Sequence, residues 1–304
     1  LNQDQSFGVY GVPSADLVDV PAGALQLSPL MPGAAALESV ATGSLAGMTV
    51  AAPPGTLERR YVLAQALRAL APGGRLTALA PKDKGGSRLR KELEAFGCTV
   101  QETGGRHQRL CQTRRPEAPT GLDEAIAAGG PRLEPELGLW TWPGVFSWDR
   151  LDPGSVLLIQ ALPPLAGKGA DLGCGLGVLS KAVLAQPSVK ELTLVDLDRR
   201  AVEAARRNVQ DPRVTFHWGD ARTEPALDAL DFVVMNPPFH DLGAEDKALG
   251  QAFIRRAAQT LRKGGVLWMV ANRHLPYEAV LTSLFRQVAL KADGGGFKVY
   301  EARK

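Results

Sequence analysis

Asp171-Leu172-Gly173-Cys174-Gly175-Leu176-Gly177 governs how this chain is read. Ala170-Asp171-Leu172 ends an apolar run, the glycines interrupt it, and a helical apolar pattern starts at Val178. Glycines let the backbone turn tightly and let a ligand approach the main-chain N–H groups at a helix start. Outward from this loop, strands and helices alternate. Helices are expected over 178–184, 199–209 and 248–261, and strands over 191–195, 214–218, 231–235 and 265–271. Such alternation means a doubly wound, mainly parallel sheet, so the expected fold class is α/β and Rossmann-like.

The loop is not the dinucleotide fingerprint Gly-x-Gly-x-x-Gly, because Val178 occupies its sixth position. Asp196 ends the next strand, 25 residues after Asp171, where a carboxylate can accept both hydroxyls of a ribose. Asp220 ends the strand after that. Three acidic strand ends would repel a pyrophosphate. They suit an adenosine that carries an amino-acid group and a positive sulfonium, so the expected ligand is S-adenosylmethionine. The plain alternative is that the glycines and Asp196 serve only turns and caps.

Asn236-Pro237-Pro238-Phe239 follows the strand expected at 231–235. A residue before proline is pushed toward extended backbone, and neither proline has an N–H to donate. The segment can therefore present the Pro237 carbonyl and the Asn236 side-chain oxygen beyond the strand. Two acceptors suit a planar amino group with its two N–H donors. They would favour the more positive nitrogen of a transition state for transfer to that group, and Phe239 can stack on a ring turned out of its helix. Standing alone, the motif would be an ordinary turn.

The rest of the composition narrows the class. Of 304 residues, 45% are hydrophobic and 22% charged, which suits a globular core and excludes a disordered, collagen-like or coiled-coil chain. No apolar run reaches the ~18 residues of a membrane span, and the longest, 155–165, is broken by Gln160 and Pro163-Pro164. No cationic-then-apolar opening is seen, so no secretory signal is expected; the chain opens on Leu1, so its true start is expected to be missing. Cys98, Cys111 and Cys174 have no CxxC spacing and the four histidines no ligand spacing, so neither disulfides nor a metal is expected, in a reducing cytoplasm. The net charge of +3 permits an anionic partner without demanding one. Residues 82–115 hold nine Lys/Arg and four Asp/Glu, a local +5 centred on Arg88, Arg90 and Lys91, which fits either a solvated face or a phosphate-contacting one.

The first half repeats part of the second. Ala66–Leu76 lies 191 residues before Ala257–Leu267, and the same offset pairs Gly104-Gly105 with Gly295-Gly296. Val50-Ala51-Ala52-Pro53-Pro54-Gly55 resembles Val234-Met235-Asn236-Pro237-Pro238-Phe239, with Ala52 in the place of Asn236. The expected organisation is a degenerate duplicate over 1–115, a breaker-rich linker over 116–135 with a short helix at 122–128, and a catalytic domain over 136–304. Only 37 residues separate Asp16 from Pro53, against 66 from Asp171 to Pro237, so an early part of the duplicate is missing or rearranged.

Further segments carry a family resemblance: 143–152 (Pro-Gly-Val-Phe-Ser-Trp-Asp-Arg-Leu-Asp), Asn236 to Asp241, 270–277, and Gly296-Phe297-Lys298-Val299-Tyr300. With the glycine loop and Asn-Pro-Pro-Phe, the chain resembles class I amino-methyltransferases, and among them the bacterial rRNA guanine-N2 methyltransferases of the RsmC type, which act on 16S rRNA. The resemblance implies two tandem methyltransferase-like domains, the first degenerate and given to folding or RNA binding. It implies that Asp171, Gly173, Gly175 and Gly177, with Cys174, line the methionine end of S-adenosylmethionine. Asp196 with Leu197 would hold the ribose and Asp220 with Ala221 the adenine, while Phe146 and Ser147 border the pocket. Asn236 and Pro237, continued by Pro238, would hold guanine N2, with Phe239 against the ring. His240, Arg273 and Lys298 would meet RNA. The implied protein is a cytoplasmic monomer without metal or membrane, acting on 16S rRNA free or within the small subunit. Rival readings are a large-subunit guanine-N2 enzyme, an adenine-N6 or protein-glutamine methyltransferase, and an RNA-binding assembly factor on an inactive scaffold.

Overall fold

A computed structural model describes residues 7–105, 107–238 and 247–304 fully, and within 239–246 only the backbone of 240–241 and 244–245. The chain divides into two compact units: Leu1–Pro131 with Trp142–Gly144, and Arg132–Thr141 with Val145–Lys304.

Unit 1 contains β1 (Phe7–Tyr10), β2 (Leu25–Gln26), β3 (Leu45–Ala51), α1 (Thr56–Ala69), β4 (Leu70–Pro81), α2 (Ser87–Ala95), β5 (Gln101–Thr103), β6 (Gln108–Arg114) and α3 (Leu122–Gly129). Its sheet has the order β2-β1-β3-β4-β6-β5. Pairing is parallel except at β6, which runs against both β4 and β5. Residues 116–131 of the segment expected as a linker instead fold into this unit, because the apolar face of α3 packs on α1 and Gly129 lies tight against Tyr61, and 132–135 fall in unit 2.

Unit 2 opens with the hairpin β7 (Arg132–Glu134) and β8 (Leu139–Thr141), then α4 (Pro153–Ala161). The body follows as β9 (Gly167–Leu172), α5 (Val178–Leu184), β10 (Val189–Asp196), α6 (Arg199–Asn208), β11 (Val214–Trp218) and β12 (Leu230–Met235). After the short pair β13 (His240–Asp241) and β14 (Ala244–Glu245) come α7 (Lys247–Thr260), β15 (Leu261–Asn272), α8 (Glu278–Leu284), β16 (Gln287–Gly294) and β17 (Phe297–Arg303). The sheet order is β11-β10-β9-β12-β15-β17-β16, with β17 antiparallel to both its neighbours. The central strands are buried on both faces, which is why they read as unbroken apolar runs. One core joins them to α7 and α8, and a second joins Trp268, Val270 and Val299 to Leu158 of α4 and to α5 and α6.

The two sheets superimpose in topology: β2, β1, β3, β4, β6 and β5 match β10, β9, β12, β15, β17 and β16. α1 and α7, like β4 and β15, have equal lengths at the 191-residue offset. No counterpart of α5, α6 or β11 occurs among the described residues of unit 1. This is the missing early part, and β1 at Phe7–Tyr10, not Asp16, is the counterpart of β9. The strand registers also correct the repeat by one residue. Gly47 pairs with Arg75 as Phe232 pairs with Val266, which puts Ala51, not Ala52, in the place of Asn236. The same registers put Val9 in the place of Asp171.

Candidate active site

The loop after β9 and the end of β12 meet in unit 2. Gly173 and Gly177 have φ of +80° and +81°, a left-handed backbone that side chains rarely adopt. A Cβ on Gly177 would also press within 2.7 Å of Val209 Cγ2, so this position holds the loop against α6. Gly173 and Cys174 both donate their N–H to the Val195 carbonyl, at 2.8 and 3.0 Å. Gly175 N–H donates to Asp196 Oδ2 at 2.8 Å, and Asp198 N–H to Asp196 Oδ1 at 2.9 Å. With the Leu197 N–H as a third backbone donor, the Asp196 carboxylate still has room for a further one. Asn208, at the end of α6, clamps Trp140 of β8 and the Leu176 carbonyl of the loop together, with bonds of 2.7 to 3.0 Å.

Asp171 is fully buried beneath the loop. Its Oδ2 accepts from Ser180 Oγ at 2.6 Å, while Oδ1 has no partner among the described residues. Burial pushes its carboxyl up to about 7, and burial likewise pushes Asp196 up to about 6, with each further opposed by a neighbouring carboxylate. Two carboxylates so far from their ordinary range would regain charge beside a positive ligand. Asp220 differs: Arg222 grips it through Nε and Nη2, at 2.8 and 2.6 Å, and holds it below the usual carboxylate range. Ala221 beside it is buried, and Leu197 stands exposed next to Asp196.

A cleft of about 500 Å³ opens above the loop, lined by Phe146, Ser147, Asp152, Ser155, Gly173–Gly175 and Asn236, among others. Phe146 is 59% exposed, a large apolar ring at the cleft wall. Ser147 has φ +55° and donates its hydroxyl to the Arg150 carbonyl at 2.7 Å.

Asn236 sits where β12 ends. Its Nδ2 donates to Asp152 Oδ2 at 2.8 Å and to Ser155 Oγ at 2.9 Å. A carboxylate accepts only, so this pairing selects the amide orientation. Both amide hydrogens are used, and Oδ1 takes no bond from the described residues. Asp152 is also the N-cap of α4, accepting from Ser155 N–H at 2.7 Å, with Pro153 opening the helix. Asp152 and Ser155 were absent from the sequence expectation. The signal that could have found them is Asp-Pro-Gly-Ser at the head of an apolar run, an N-cap signature.

Pro238 approaches the loop, its Cδ 3.9 Å from where a Cβ on Gly173 would lie. Phe239 lies outside the described residues, and of His240 only the backbone, in β13, is described. Arg273 and Lys298 are not free cations: Arg273 pairs with Asp293, and Lys298 with Glu278 at 2.7 Å. Arg88, Arg90 and Lys91 lie on the exposed face of α2 in unit 1, where Arg90 pairs with Glu94 at 2.8 Å. Among the described residues, no cluster of His, Cys, Asp and Glu could hold a metal, and no helix is long and apolar enough to cross a membrane.

The methyltransferase small domain family model matches residues 136–301. The ribosomal RNA small subunit methyltransferase C of Pseudomonas aeruginosa is 36% identical over 92% of this chain and 86% of its own. The protein of that name from Acinetobacter baylyi is 35% identical over 76% of this chain and 71% of its own. In fold, the chain matches the T. thermophilus 16S rRNA N2 methyltransferase RsmC, solved with AdoMet and guanosine, at a TM-score of 0.78 and 24% identity, over 100% of this chain and 89% of that one. With loop, motif and strand order in agreement, the chain belongs to the ribosomal RNA small subunit methyltransferase C family.

Proposed function

We propose that this protein transfers the methyl group of S-adenosylmethionine to the exocyclic N2 of a guanosine in 16S rRNA. The observation that carries the reading is Asn236: it lines the cleft above the glycine loop, and Asp152 and Ser155 take both its amide hydrogens, leaving Oδ1 as an acceptor with no bond from the described residues. The relatives' names and the bound guanosine of the matching structure support RNA and guanine as the target.

The residues fit the cofactor. The unpartnered Oδ1 of Asp171 and the raised Asp196 carboxyl await a positive ligand, and the space above Gly175 is open. When bound, S-adenosylmethionine supplies an electrophilic methyl on a sulfonium. Asp171, Gly173, Cys174, Gly175 and Gly177 hold its methionine end. Asp196 and Leu197 hold the ribose, Asp220 and Ala221 the adenine, and Phe146 and Ser147 border the pocket. Asn236 Oδ1 and the Pro237 carbonyl accept the two N2 hydrogens, drawing the nitrogen lone pair out of conjugation, while Pro238 and Phe239 shape the ring pocket. Acceptors set in advance cost no reorganisation during transfer. His240, Arg273, Lys298 and the α2 cations are further RNA contacts. Catalysis belongs to the second unit, with the first supporting folding or RNA binding, in a cytoplasmic monomer.

The test is transfer of labelled methyl to rRNA and isolated small subunits, followed by nucleoside digestion and mass analysis. N2-methylguanosine in 16S rRNA is expected; N6-methyladenosine, or label only in protein, would overturn the substrate. Asn236→Ala is expected to lower turnover about 100-fold or more, the scale of losing one preorganised group, with cofactor affinity held within a few fold. Wild-type turnover in that variant would remove Asn236 from the mechanism.

A further inference from the structure

Unit 1 has an open cleft of about 1030 Å³ on its β4-β6-β5 face, lined by Arg75, Thr77, Gln101, Gln112, Arg114 and Arg115, among others. Side chains alternate across a sheet, and the registers place Arg75 opposite Arg114 and Thr77 opposite Gln112 and, beyond it, Gln101.

Unit 2 shows what this face becomes when it is structural. Val266, Trp268 and Val270 stand there in the places of Arg75, Thr77 and Leu79, and α4 covers them. Glu301, in the place of Gln112, pairs with Arg303 at 3.1 Å and with Lys291 at 3.0 Å. In unit 1 no helix among the described residues packs on this side of β4 as α4 does on β15; Leu79 is buried but Arg75 is exposed, and the balancing carboxylate is a glutamine. Arg75 is exposed and has no partner among the described residues. Among the described residues, Arg114 spends one nitrogen on the Gly73 carbonyl at 2.8 Å and pairs with no carboxylate, and Arg115 Nε is a buried donor without an acceptor. No Asp or Glu lines the cleft. The basic stretch on α2 is different, since Glu92 and Glu94 lie among its cations and Glu94 pairs with Arg90.

We propose that this face of unit 1 is a binding site for the RNA phosphate backbone, with Arg75, Arg114 and Arg115 as the phosphate contacts and the Gln and Thr side chains as neutral donors along the track. Duplication produced the sheet; loss of the covering helix and of the carboxylate turned a core face into a polyanion site. The site rests on RNA being the substrate. Arginine matches phosphate in a planar, two-pronged way and carries no sequence information, so this surface sets affinity and register rather than the choice of base.

The test uses the full chain, a labelled hairpin RNA of small-subunit sequence, and the variant Arg75→Gln/Arg114→Gln/Arg115→Gln. The slope of log affinity against log salt is expected to flatten by about 2, at ~0.7–0.9 per phosphate contact. KM for RNA should rise about tenfold, with kcat and cofactor affinity unchanged. Arg75→Glu, at an exposed and unpartnered position, should weaken binding by itself if the triple variant folds poorly. An unchanged slope and KM would overturn the site while leaving the activity intact. Absence of RNA binding by the wild type would overturn both. A dimer of the wild type that Arg75→Glu dissociates, with RNA affinity unchanged, would assign the face to a second copy of the chain and overturn the RNA site.

Discussion

Asn236 was legible because its neighbours in sequence are prolines; what orients it was not, because Asp152 and Ser155 lie 84 and 81 residues away. Asp152 does two jobs, capping α4 and accepting from Asn236, and the two can be separated. Asp152→Ser keeps a capping oxygen but is too short to reach Asn236. It should leave the unfolding midpoint and cofactor affinity near wild type and cut kcat about tenfold or more, whereas Asp152→Asn, with an acceptor at the same reach, should recover most of it. Equal kcat in all three would reduce Asp152 to a cap. The buried carboxyls predict a pH response. Asp171 at about 7 and Asp196 at about 6 lie above their unfolded values. Their contribution to folding is therefore full at low pH and is lost as pH rises through 6 and then 7. A cationic ligand prefers both ionised, so affinity for S-adenosylmethionine should rise about tenfold or more from pH 5.5 to 8, with proton release on binding. Calorimetry in buffers of different ionisation heat reads both, and a flat profile with no proton release would contradict the burial argument.

Among the elements, α5 and β11 have the bounds expected from sequence, α6 and β12 differ by one residue at one end, and α7 is shifted by one residue at both. Their apolar periods lie within a single helix turn or strand, so neighbours in sequence suffice to define them. α4 was less legible: Pro163-Pro164 and Gln160 made its run look broken, although the helix ends before the prolines and its cap is Asp152. Two exchanges between the units also appear only when strands pair. The ring of Phe232 fills the space beside Gly169, whereas in unit 1 the matching pair is reversed, with Phe7 filling the space beside Gly47. Likewise Tyr277 of unit 2 closes over Gly250, while Arg59 of unit 1, 191 residues before Gly250, reaches over Gly85. Arg59 is fully buried in α1, with a two-pronged pair to Glu92 of α2 at 2.7 Å and bonds to the Pro54 and Pro53 carbonyls at 2.6 and 3.3 Å. Arg59→Ala leaves the largely covered Glu92 without its cation and should cost about 3–5 kcal/mol in denaturant unfolding. A loss within about 0.5 kcal/mol, the size of a surface change, would mean that water replaces the guanidinium.

At the scale of the molecule, the two units share a sheet order but not a site. Val9 and Ala51 replace Asp171 and Asn236, and Arg59 occupies the carbonyls beyond β3. One cofactor per chain is therefore expected in titration calorimetry, and Asn236→Ala combined with Ala51→Asn should stay as inactive as Asn236→Ala alone; two cofactors per chain would show that unit 1 retains a binding loop. The alternation of strands and helices from β9 to β12 and through α7 and β15, the glycine loop, the acidic strand ends, the Asn-Pro-Pro motif and the existence of a duplicate were all determined by sequence alone, because each is a pattern between near neighbours or a copy of one. Tertiary structure alone decided the one-residue register of the duplicate, the ion pairs that engage Arg273 and Lys298, the pairing that turns the Asn236 amide, and the open arginine face of unit 1. Each of these depends on which distant side chain fills a given space or accepts a given proton, and only packing across strands settles that.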